Sequence, residues 1–209
     1  MLILMMPGGR APRAGATLPT VIDMRVRPRV TRFLEPIGRG LAALGVTPAA
    51  MTFLGLAVVV TGSVVIANDR LAFGAGILLG GSLLDGLDGA VARASGQVSA
   101  RGAFLDAAFD RLGEIAGFAG LAVAMVGEVR ILLLIILSLG GAILVPYMRA
   151  RAEAEGFDGR GGLMGRAERV ILFSAGLIFG VVEPMLWVFV VTVWVTAVSR
   201  FWRTYRYLA

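Results

Sequence analysis

The chain of 209 residues contains no cysteine, no histidine and no lysine. Without cysteine and histidine, disulfide bonds, thiolate chemistry, the usual zinc sites and a histidine general base are all excluded. A bound metal ion would therefore be a hard cation held by oxygen ligands, and a general base would be a carboxylate. All 20 basic residues are arginine, and the formal net charge is +6.

Charged residues are scarce as well, at 16% of the chain, while 57% of the residues are hydrophobic. Soluble domains carry roughly 25% charged residues, so this composition indicates an integral membrane protein. We predict an all-α fold with six transmembrane helices, since six apolar runs are long enough or nearly long enough to cross a bilayer. Their predicted bounds are 51–67, 71–84 with the helix continuing to 93, 102–126, 131–148, 170–182 and 185–199.

The N-terminal part of the chain differs from the rest in composition. Residues 1–23 are predicted to be a poorly ordered extension, with Met24 as an alternative start, and residues 24–209 to form the membrane domain. Residues 29–45 have the spacing of a basic amphipathic helix, which would lie in the membrane interface or, alternatively, pack as a solvated helix against the loops. Thr47 and Pro48 are typical of a helix N-terminus and predict the start of the first span.

The arginines predict the orientation in the membrane. They concentrate in the N-terminal region, around residues 93–101, in the predicted loop 149–169 and near the C-terminus, while Arg70 and Arg130 lie in the opposite turns. By the positive-inside rule the arginine-rich side, with both termini, is cytoplasmic, which predicts a multi-pass protein of the plasma membrane. Arginines in such loops meet anionic lipid headgroups, so nucleic acid is not an expected partner.

Four of the seven aspartates lie between residues 85 and 110. Asp85 and Asp88 are spaced i,i+3, and Asp106 and Asp110 are spaced i,i+4, so each pair would share one face of a helix. Four neighbouring carboxylates need counter-charge, which one or two divalent cations such as Mg²⁺ or Mn²⁺ would supply. With Arg93 nearby, the set is suited to phosphoryl transfer.

Other readings of these aspartates remain open on chemistry alone. They could form an ion or proton pathway in a transporter, such as one for divalent cations. They could also only pair with Arg93, Arg101 and Arg111 to hold the helices together. An EF-hand is a poor match, because the remaining ligands of its loop are absent.

The spacing of the aspartates with the glycines, alanine and arginine between them is more specific than the carboxylates alone. Residues 85–110 match the pattern Asp-x2-Asp-Gly-x2-Ala-Arg-x8-Gly-x3-Asp-x3-Asp at Asp85, Asp88, Gly89, Ala92, Arg93, Gly102, Asp106 and Asp110. This pattern resembles the signature of the CDP-alcohol phosphotransferase family, and the six-span pattern agrees with that family.

The resemblance implies a homodimer of six-helix subunits that binds two metal ions, usually Mg²⁺, and takes a CDP-linked lipid, commonly CDP-diacylglycerol, as donor. It implies that Asp85 and Asp106 contact both ions, that Asp88 binds one, and that Asp110 binds the other and serves as general base. The implied donor-binding residues are Pro48, Ala49, Ala50, Met51, Gly89, Arg93 and Ser99.

A second resemblance concerns the acceptor. Tyr147-x-Arg149-Ala150-Arg151-Ala152-Glu153 and Gly165-Arg166-Ala167-Glu168-Arg169 are similar to the phosphatidylinositol phosphate synthases of this family, which implies inositol phosphate as the acceptor. A phosphorylated acceptor needs cationic groups apart from the metal ions, and Arg149, Arg169 and Arg200 are predicted in that role. The alternatives are glycerol 3-phosphate, serine or another alcohol as acceptor, or that these arginines are only topology signals.

Overall fold

The computed structural model describes residues 27–159 and 161–209, and this part of the chain folds as helices joined by short turns, with one longer connection between Ala154 and Arg166. The helices are α1 (Arg27–Ala43), α2 (Pro48–Ala67), α3 (Leu71–Asp85), α4 (Asp88–Ala94), α5 (Ala100–Ala124), α6 (Val129–Ala154), α7 (Arg166–Ile178) and α8 (Val182–Leu208). The predicted all-α membrane fold is confirmed. The predictions for residues 1–23 and for Met24 lie outside the described residues.

Four segments of the described chain are long and apolar enough to cross a membrane. They are Pro48–Ala67, Leu71–Ala94, Val129–Ala154 and Val182–Leu208. Helix α5 has a charged N-terminal half, and α7 has only 13 residues, so neither meets the same criteria of length and composition. The chain is therefore a multi-pass membrane protein, while the count of six spans stays a prediction.

The start of α2 is the one the sequence predicts. Pro48 is the first helical residue, and the Thr47 hydroxyl accepts a hydrogen bond of 3.2 Å from the Ala50 N–H. The side chain thereby satisfies one of the donors that a helix N-terminus leaves unpaired.

The prediction of a long loop over residues 149–169 is wrong at both ends, because α6 continues to Ala154 and α7 begins at Arg166. Arginine, alanine and glutamate are strong helix formers. The extension of α6 also gains two i,i+4 ion pairs, Arg149 with Glu153 at 2.8 Å and Arg151 with Glu155 at 2.7 Å.

The turn predicted at Glu183 and Pro184 is also misplaced. Both residues lie in the first turn of α8, and the turn itself precedes Val182. A proline at this position removes no helical hydrogen bond, since the first N–H groups of a helix have no partner within it. Helix α8 then continues through the predicted C-terminal tail to Leu208.

Helices α2 and α3 pack with their backbones in contact. A Cβ atom on Gly62 would lie 2.7 Å from the Leu78 nitrogen, and one on Gly74 would lie 2.7 Å from the Gly62 carbonyl oxygen. Glycine at these positions is what permits so close an approach, as is common between membrane helices. This close packing fixes the position of Asp85, the last residue of α3, relative to α2.

Three phenylalanines join α5, α7 and α8 in the core. The Phe118 ring centroid lies 4.9 Å from that of Phe173 and 5.2 Å from that of Phe189, both in edge-to-face geometry. All three side chains are buried. Edge-to-face pairs contribute stability beyond the area that they bury, so this cluster sets the relative height of the three helices.

Candidate active site

Asp85 and Asp88 lie at a break between two helices. Asp85 is the last residue of α3 and Asp88 the first of α4, so the predicted single helix through Arg93 is interrupted at Gly86 and Leu87. Glycine and aspartate are weak formers of helix interiors, which accounts for the break. The backbone angles of both linking residues remain close to helical, and the chain keeps its direction.

Asp106 and Asp110 come from α5, one helical turn apart, as predicted. Carboxylate oxygens of Asp85, Asp88 and Asp106 lie within 4.8 Å of one another. The structure therefore brings the two predicted pairs together across the α3–α4 break and α5. Asp85 is buried, and the other two are half-buried.

Two residues of α2 contact the aspartates of this cluster. The Thr52 hydroxyl donates a hydrogen bond of 2.9 Å to Asp88 Oδ2. A Cβ atom on Gly55 would lie 2.9 Å from Asp85 Cβ and 3.0 Å from its nitrogen, so only glycine lets Asp85 approach α2. Neither residue was singled out from the sequence.

Arg166, the first residue of α7, faces the same carboxylates. Its Nη2 donates a hydrogen bond to Asp85 Oδ2 and lies 2.6 Å from Asp110 Oδ1. Burial alone would lower the pKa of Arg166, but the carboxylates of Asp110 and Asp85 outweigh it and raise that pKa, so Arg166 remains a cation. It supplies part of the counter-charge that the cluster needs.

Asp110 is more weakly held than its ion pairs suggest. Its Oδ1 is buried and accepts no hydrogen bond from the described residues, since the contact with Arg166 is an ion pair without hydrogen-bond geometry. Its Oδ2 accepts a long hydrogen bond of 3.4 Å from Arg111. A buried carboxylate oxygen that accepts no hydrogen bond is costly, and a further ligand that engages it would lower this cost.

These features fit a divalent cation. Three carboxylates converge, and the fourth has an oxygen free of hydrogen bonds. A donor set made only of carboxylate oxygens is the kind that Mg²⁺ and Mn²⁺ prefer. Asp85, Asp88, Asp106 and Asp110 are therefore the residues that would hold the metal.

On one side of the aspartates lies a cavity of about 330 Å³, which we call the donor cavity. It is bordered by the N-terminus of α2, by α4 and by the N-terminus of α5, and both Asp88 and Asp106 line it. Of the predicted donor-binding residues, the cavity brings together Pro48, Ala49, Gly89, Arg93 and Ser99.

Two predicted donor-binding residues are not among those that line this cavity. Ala50 lies at the exposed start of α2, and Met51 is buried against Leu87 and Val91. Thr52 and Gln97, which were not predicted, line the cavity instead. The helical period explains why Thr52 lines the cavity. Thr52 follows Pro48 by four residues, so the two residues lie on the same face of α2.

On the other side lies a smaller cavity of about 50 Å³, which we call the acceptor cavity. Its polar residues are Ser82, Asp85, Asp110, Glu114, Arg166 and Arg169. Its remaining walls are apolar and include the phenylalanine cluster. The four aspartates thus stand between two cavities, with Asp88 and Asp106 lining one and Asp85 and Asp110 the other.

The three predicted acceptor arginines are placed differently. Arg169 is buried in the acceptor cavity, where its Nε lies 2.6 Å from Glu114 Oε1. Arg200 donates to the carbonyl oxygens of Val145 and Gly161, at 2.6 and 3.0 Å. Arg149 is exposed and pairs with Glu153. Neither of the last two is among the residues lining either cavity.

Two charged residues of the acceptor cavity were missed from the sequence. Glu114 continues the i,i+4 series of Asp106 and Asp110 along α5, which was a usable signal. Arg166 lies within the Gly165–Arg169 motif, but nothing in the motif itself tells which of its arginines reaches the aspartates.

Comparison with known proteins shows which family this chain belongs to. The family model for CDP-alcohol phosphatidyltransferase matches residues 45–202, a range that includes every residue predicted for the site. The chain belongs to the CDP-alcohol phosphatidyltransferase family. The predicted family is confirmed, and with it the assignment of this membrane protein as a transferase.

Individual relatives of this phosphatidyltransferase agree with the second resemblance. The chain is 37% identical over 180 residues to the archaetidylinositol phosphate synthase of Pyrococcus horikoshii, covering 84% of this chain and 93% of that protein. The crystal structure of Mycobacterium tuberculosis phosphatidylinositol phosphate synthase with CDP-DAG bound superposes with a TM-score of 0.77 at 32% identity, covering 83% of this chain and 94% of that one.

A second structure of the Mycobacterium tuberculosis enzyme, in complex with manganese and citrate, also has a TM-score of 0.77. It is 31% identical and covers 82% of this phosphatidyltransferase and 88% of that chain. That relative binds a divalent metal, which agrees with the carboxylate cluster found here.

Proposed function

We propose that this chain transfers the phosphatidyl group of CDP-diacylglycerol to inositol phosphate and releases CMP. The observation that carries the proposal is the position of the four aspartates between two cavities of different character. The donor cavity opens beside Arg93 and the helix N-termini of α2 and α5, whereas the acceptor cavity contains two arginines and a general-base candidate.

The donor cavity suits the CDP portion of the lipid. Gly89 and Gly102 have no side chains and so leave room in the cavity for a bulky ligand. Arg93 also lines the cavity, and its guanidinium can bind phosphate oxygens. Ser99 caps α5 by accepting a hydrogen bond of 3.1 Å from the Gly102 N–H, which fixes this wall of the cavity. The predicted roles of Ala50 and Met51 in donor binding would be indirect, because these residues belong to the first helical turns of α2, which carry Pro48, Ala49 and Thr52.

Two divalent ions, Mg²⁺ or alternatively Mn²⁺, would be held by Asp85, Asp88, Asp106 and Asp110, and would supply charge neutralisation for the pyrophosphate. Thr52 orients Asp88, and Arg166 orients Asp85. The resemblance to the family assigns the general base to Asp110, and its place in the lining of the acceptor cavity is suited to taking the proton of the attacking hydroxyl.

The acceptor cavity suits an alcohol that carries a phosphate. The acceptor oxygen forms a bond to the lipid-side phosphorus while the bond from that phosphorus to the CMP oxygen breaks, and the proton passes to Asp110. Arg169 and Arg166 are placed to bind the acceptor's own phosphate, as guanidinium groups bind phosphate in pairs of hydrogen bonds. Arg149 and Arg200 remain predicted acceptor residues, although their positions favour the other two.

The remaining predictions complete this proposal. We expect a homodimer in the plasma membrane, with the active site and both termini on the cytoplasmic side, where the arginine-rich segments lie. In this orientation both cavities face the cytoplasm, where the water-soluble acceptor would be present.

The test is release of CMP by the purified protein in lipid vesicles with CDP-diacylglycerol and Mg²⁺. Acceptors should include inositol phosphate, inositol, glycerol 3-phosphate and serine. We expect the highest kcat/KM with inositol phosphate and little CMP release without any acceptor. Preference for glycerol 3-phosphate would keep the chemistry and overturn the acceptor, whereas preference for free inositol or serine would overturn the role of the arginines.

A further inference from the structure

A line of ion pairs runs from Asp110, the general-base candidate, through Arg111 and Glu114 to Arg169. Arg111 Nη2 lies 3.4 Å from Asp110 Oδ2, and Arg111 Nη1 lies 2.7 Å from Glu114 Oε2. The other oxygen of Glu114, Oε1, lies 2.6 Å from Arg169 Nε. Each carboxylate oxygen of Glu114 therefore holds a different arginine, one beside the base and one in the acceptor cavity.

The pair of Glu114 and Arg169 is almost fully removed from solvent. The exposed fraction is 9% for the Glu114 side chain and 4% for that of Arg169. A buried guanidinium requires a counter-charge and hydrogen-bond partners, because its desolvation is otherwise uncompensated. Glu114 is the acidic partner of Arg169 among the ion pairs of the described residues.

The contacts also orient the guanidinium group. Arginine presents its donors along the edges of a rigid plane, so fixing one edge fixes the direction of the others. Glu114 engages Nε, and Met164 accepts a weak hydrogen bond of 3.5 Å from Nη1. Nη2 donates to no described residue, and Arg169 lines the acceptor cavity.

A second contact joins α5 and α7 one helical turn further along. Phe118 follows Glu114 by four residues, Phe173 follows Arg169 by the same interval, and the two rings are in edge-to-face contact. The two helices therefore run in the same direction where these side chains meet. The ring contact supports the pair of Glu114 and Arg169 from the neighbouring turn.

We propose that Glu114 is a positioning residue, which holds the Arg169 guanidinium so that its unused edge meets the phosphate of the acceptor. This inference rests on the proposed function, since it requires a phosphorylated acceptor. Glu114 need not contact either substrate or the metal ions. Its effect should therefore appear in the affinity for the acceptor and not in that for the CDP-lipid.

The test compares Glu114→Gln with Glu128→Gln, in which the same change is made at an exposed residue in the turn before α6. For both variants the KM values for inositol phosphate and CDP-diacylglycerol are measured by CMP release in vesicles. We expect Glu114→Gln to raise the KM for inositol phosphate about tenfold or more, which is the effect of losing one charge-assisted contact. Its KM for CDP-diacylglycerol should stay within about twofold, and Glu128→Gln should behave as wild type.

A double-mutant cycle with Arg169→Ala separates positioning from a general structural role. If Glu114 acts through Arg169, Glu114→Gln adds no further rise in the acceptor KM when Arg169 is already absent. Additive effects in the cycle, or equal rises in both KM values, would overturn the proposal. Glu114→Asp, which keeps the charge on a shorter side chain, should recover part of the acceptor affinity, and serves in the same cycle if the glutamine variant does not fold.

Failure of the proposed function gives a different result. If wild-type protein uses glycerol 3-phosphate and not inositol phosphate, the same KM comparison is made with glycerol 3-phosphate, and a selective rise still supports Glu114 as a positioning residue. If it uses only uncharged alcohols, the proposed function and the role of Glu114 are both overturned.

Discussion

The hydroxyl of Thr52 donates a hydrogen bond to Asp88 Oδ2 across 2.9 Å, from the first turns of α2 to the first residue of α4. The same hydroxyl oxygen lies 3.1 Å from the Pro48 carbonyl oxygen, a second acceptor for its single proton, so its position is set by its own helix. Thr52 therefore restricts the orientation of the Asp88 carboxylate, which borders the donor cavity. Second partners of this kind orient metal ligands and sustain affinity for the ion.

We expect Thr52→Val to lower the affinity for Mn²⁺ by about tenfold to a hundredfold, because Asp88 loses the partner that orients it. Valine matches threonine in shape, so the fold should be retained. Binding can be measured by electron paramagnetic resonance of free Mn²⁺ in the absence of substrates. Thr61→Val is the matched control, since the Thr61 hydroxyl bonds only its own helix at the Ala57 carbonyl. Equal affinity in the two variants would refute the role of Thr52.

Asp110→Asn should abolish turnover while binding of the CDP-lipid largely survives. Asparagine keeps the size of the side chain but cannot accept the proton of the attacking hydroxyl. Turnover is followed by CMP release, and donor binding by calorimetry with CDP-diacylglycerol in detergent. Asp69→Asn is the control, because Asp69 lies in an exposed turn with a φ of 62°, a conformation that asparagine also tolerates. Retained turnover in Asp110→Asn would remove Asp110 as the general base.

Arg169→Ala should raise the KM for inositol phosphate far more than the KM for CDP-diacylglycerol. The reason is that Arg169 lines the acceptor cavity and is absent from the lining of the donor cavity. Arg151→Ala is the comparison, since Arg151 is an exposed residue paired with Glu155 on α6. The assignment fails if Arg169→Ala changes the two KM values by the same factor.

Gly55→Ala should cost about 1–3 kcal/mol of stability and most of the activity, as overpacking of a close contact does. The added methyl group would meet the backbone and Cβ of Asp85 at 2.9 to 3.1 Å, where no side-chain rotation can relieve the clash. At Gly76, by contrast, an added Cβ meets nothing within 4 Å, so Gly76→Ala should be neutral or stabilising by up to about 1 kcal/mol. Thermal unfolding in detergent and CMP release measure both effects.

The helices of the membrane domain were largely readable from the sequence, since long apolar runs bounded by turn residues leave few alternatives. Errors occurred where polar sequence is helical. The segment around Arg149 and Arg151 is charged enough to resemble a loop, but its i,i+4 ion pairs continue α6 beyond the apolar run. Hydrophobicity marks the extent of hydrocarbon, and it does not mark the end of a helix.

At the site, residues close together in sequence were predicted well and residues brought together by packing were not. The spacing from Asp85 to Asp110 was enough to predict the carboxylate cluster. The contact of Arg166 with Asp85 and Asp110 depends on how α7 packs against α3, as does the choice between Arg166 and Arg169. The burial of Glu114 likewise depends on the packing of α5 against α7.

The glycine contacts between α2 and α3 have a consequence for how the enzyme cycles. The backbone of Gly55 touches Asp85, and α2 also carries Pro48 and Thr52, so a displacement of α2 would move one wall of the donor cavity and Asp85 together. Arg166 and Arg169 lie on α7, and Arg166 joins that helix to Asp85 and Asp110 through ion pairs. We therefore expect that a rearrangement of the acceptor cavity would have to break the ion pairs of Arg166, whereas a rearrangement of the donor cavity would have to separate two helices whose backbones are in contact.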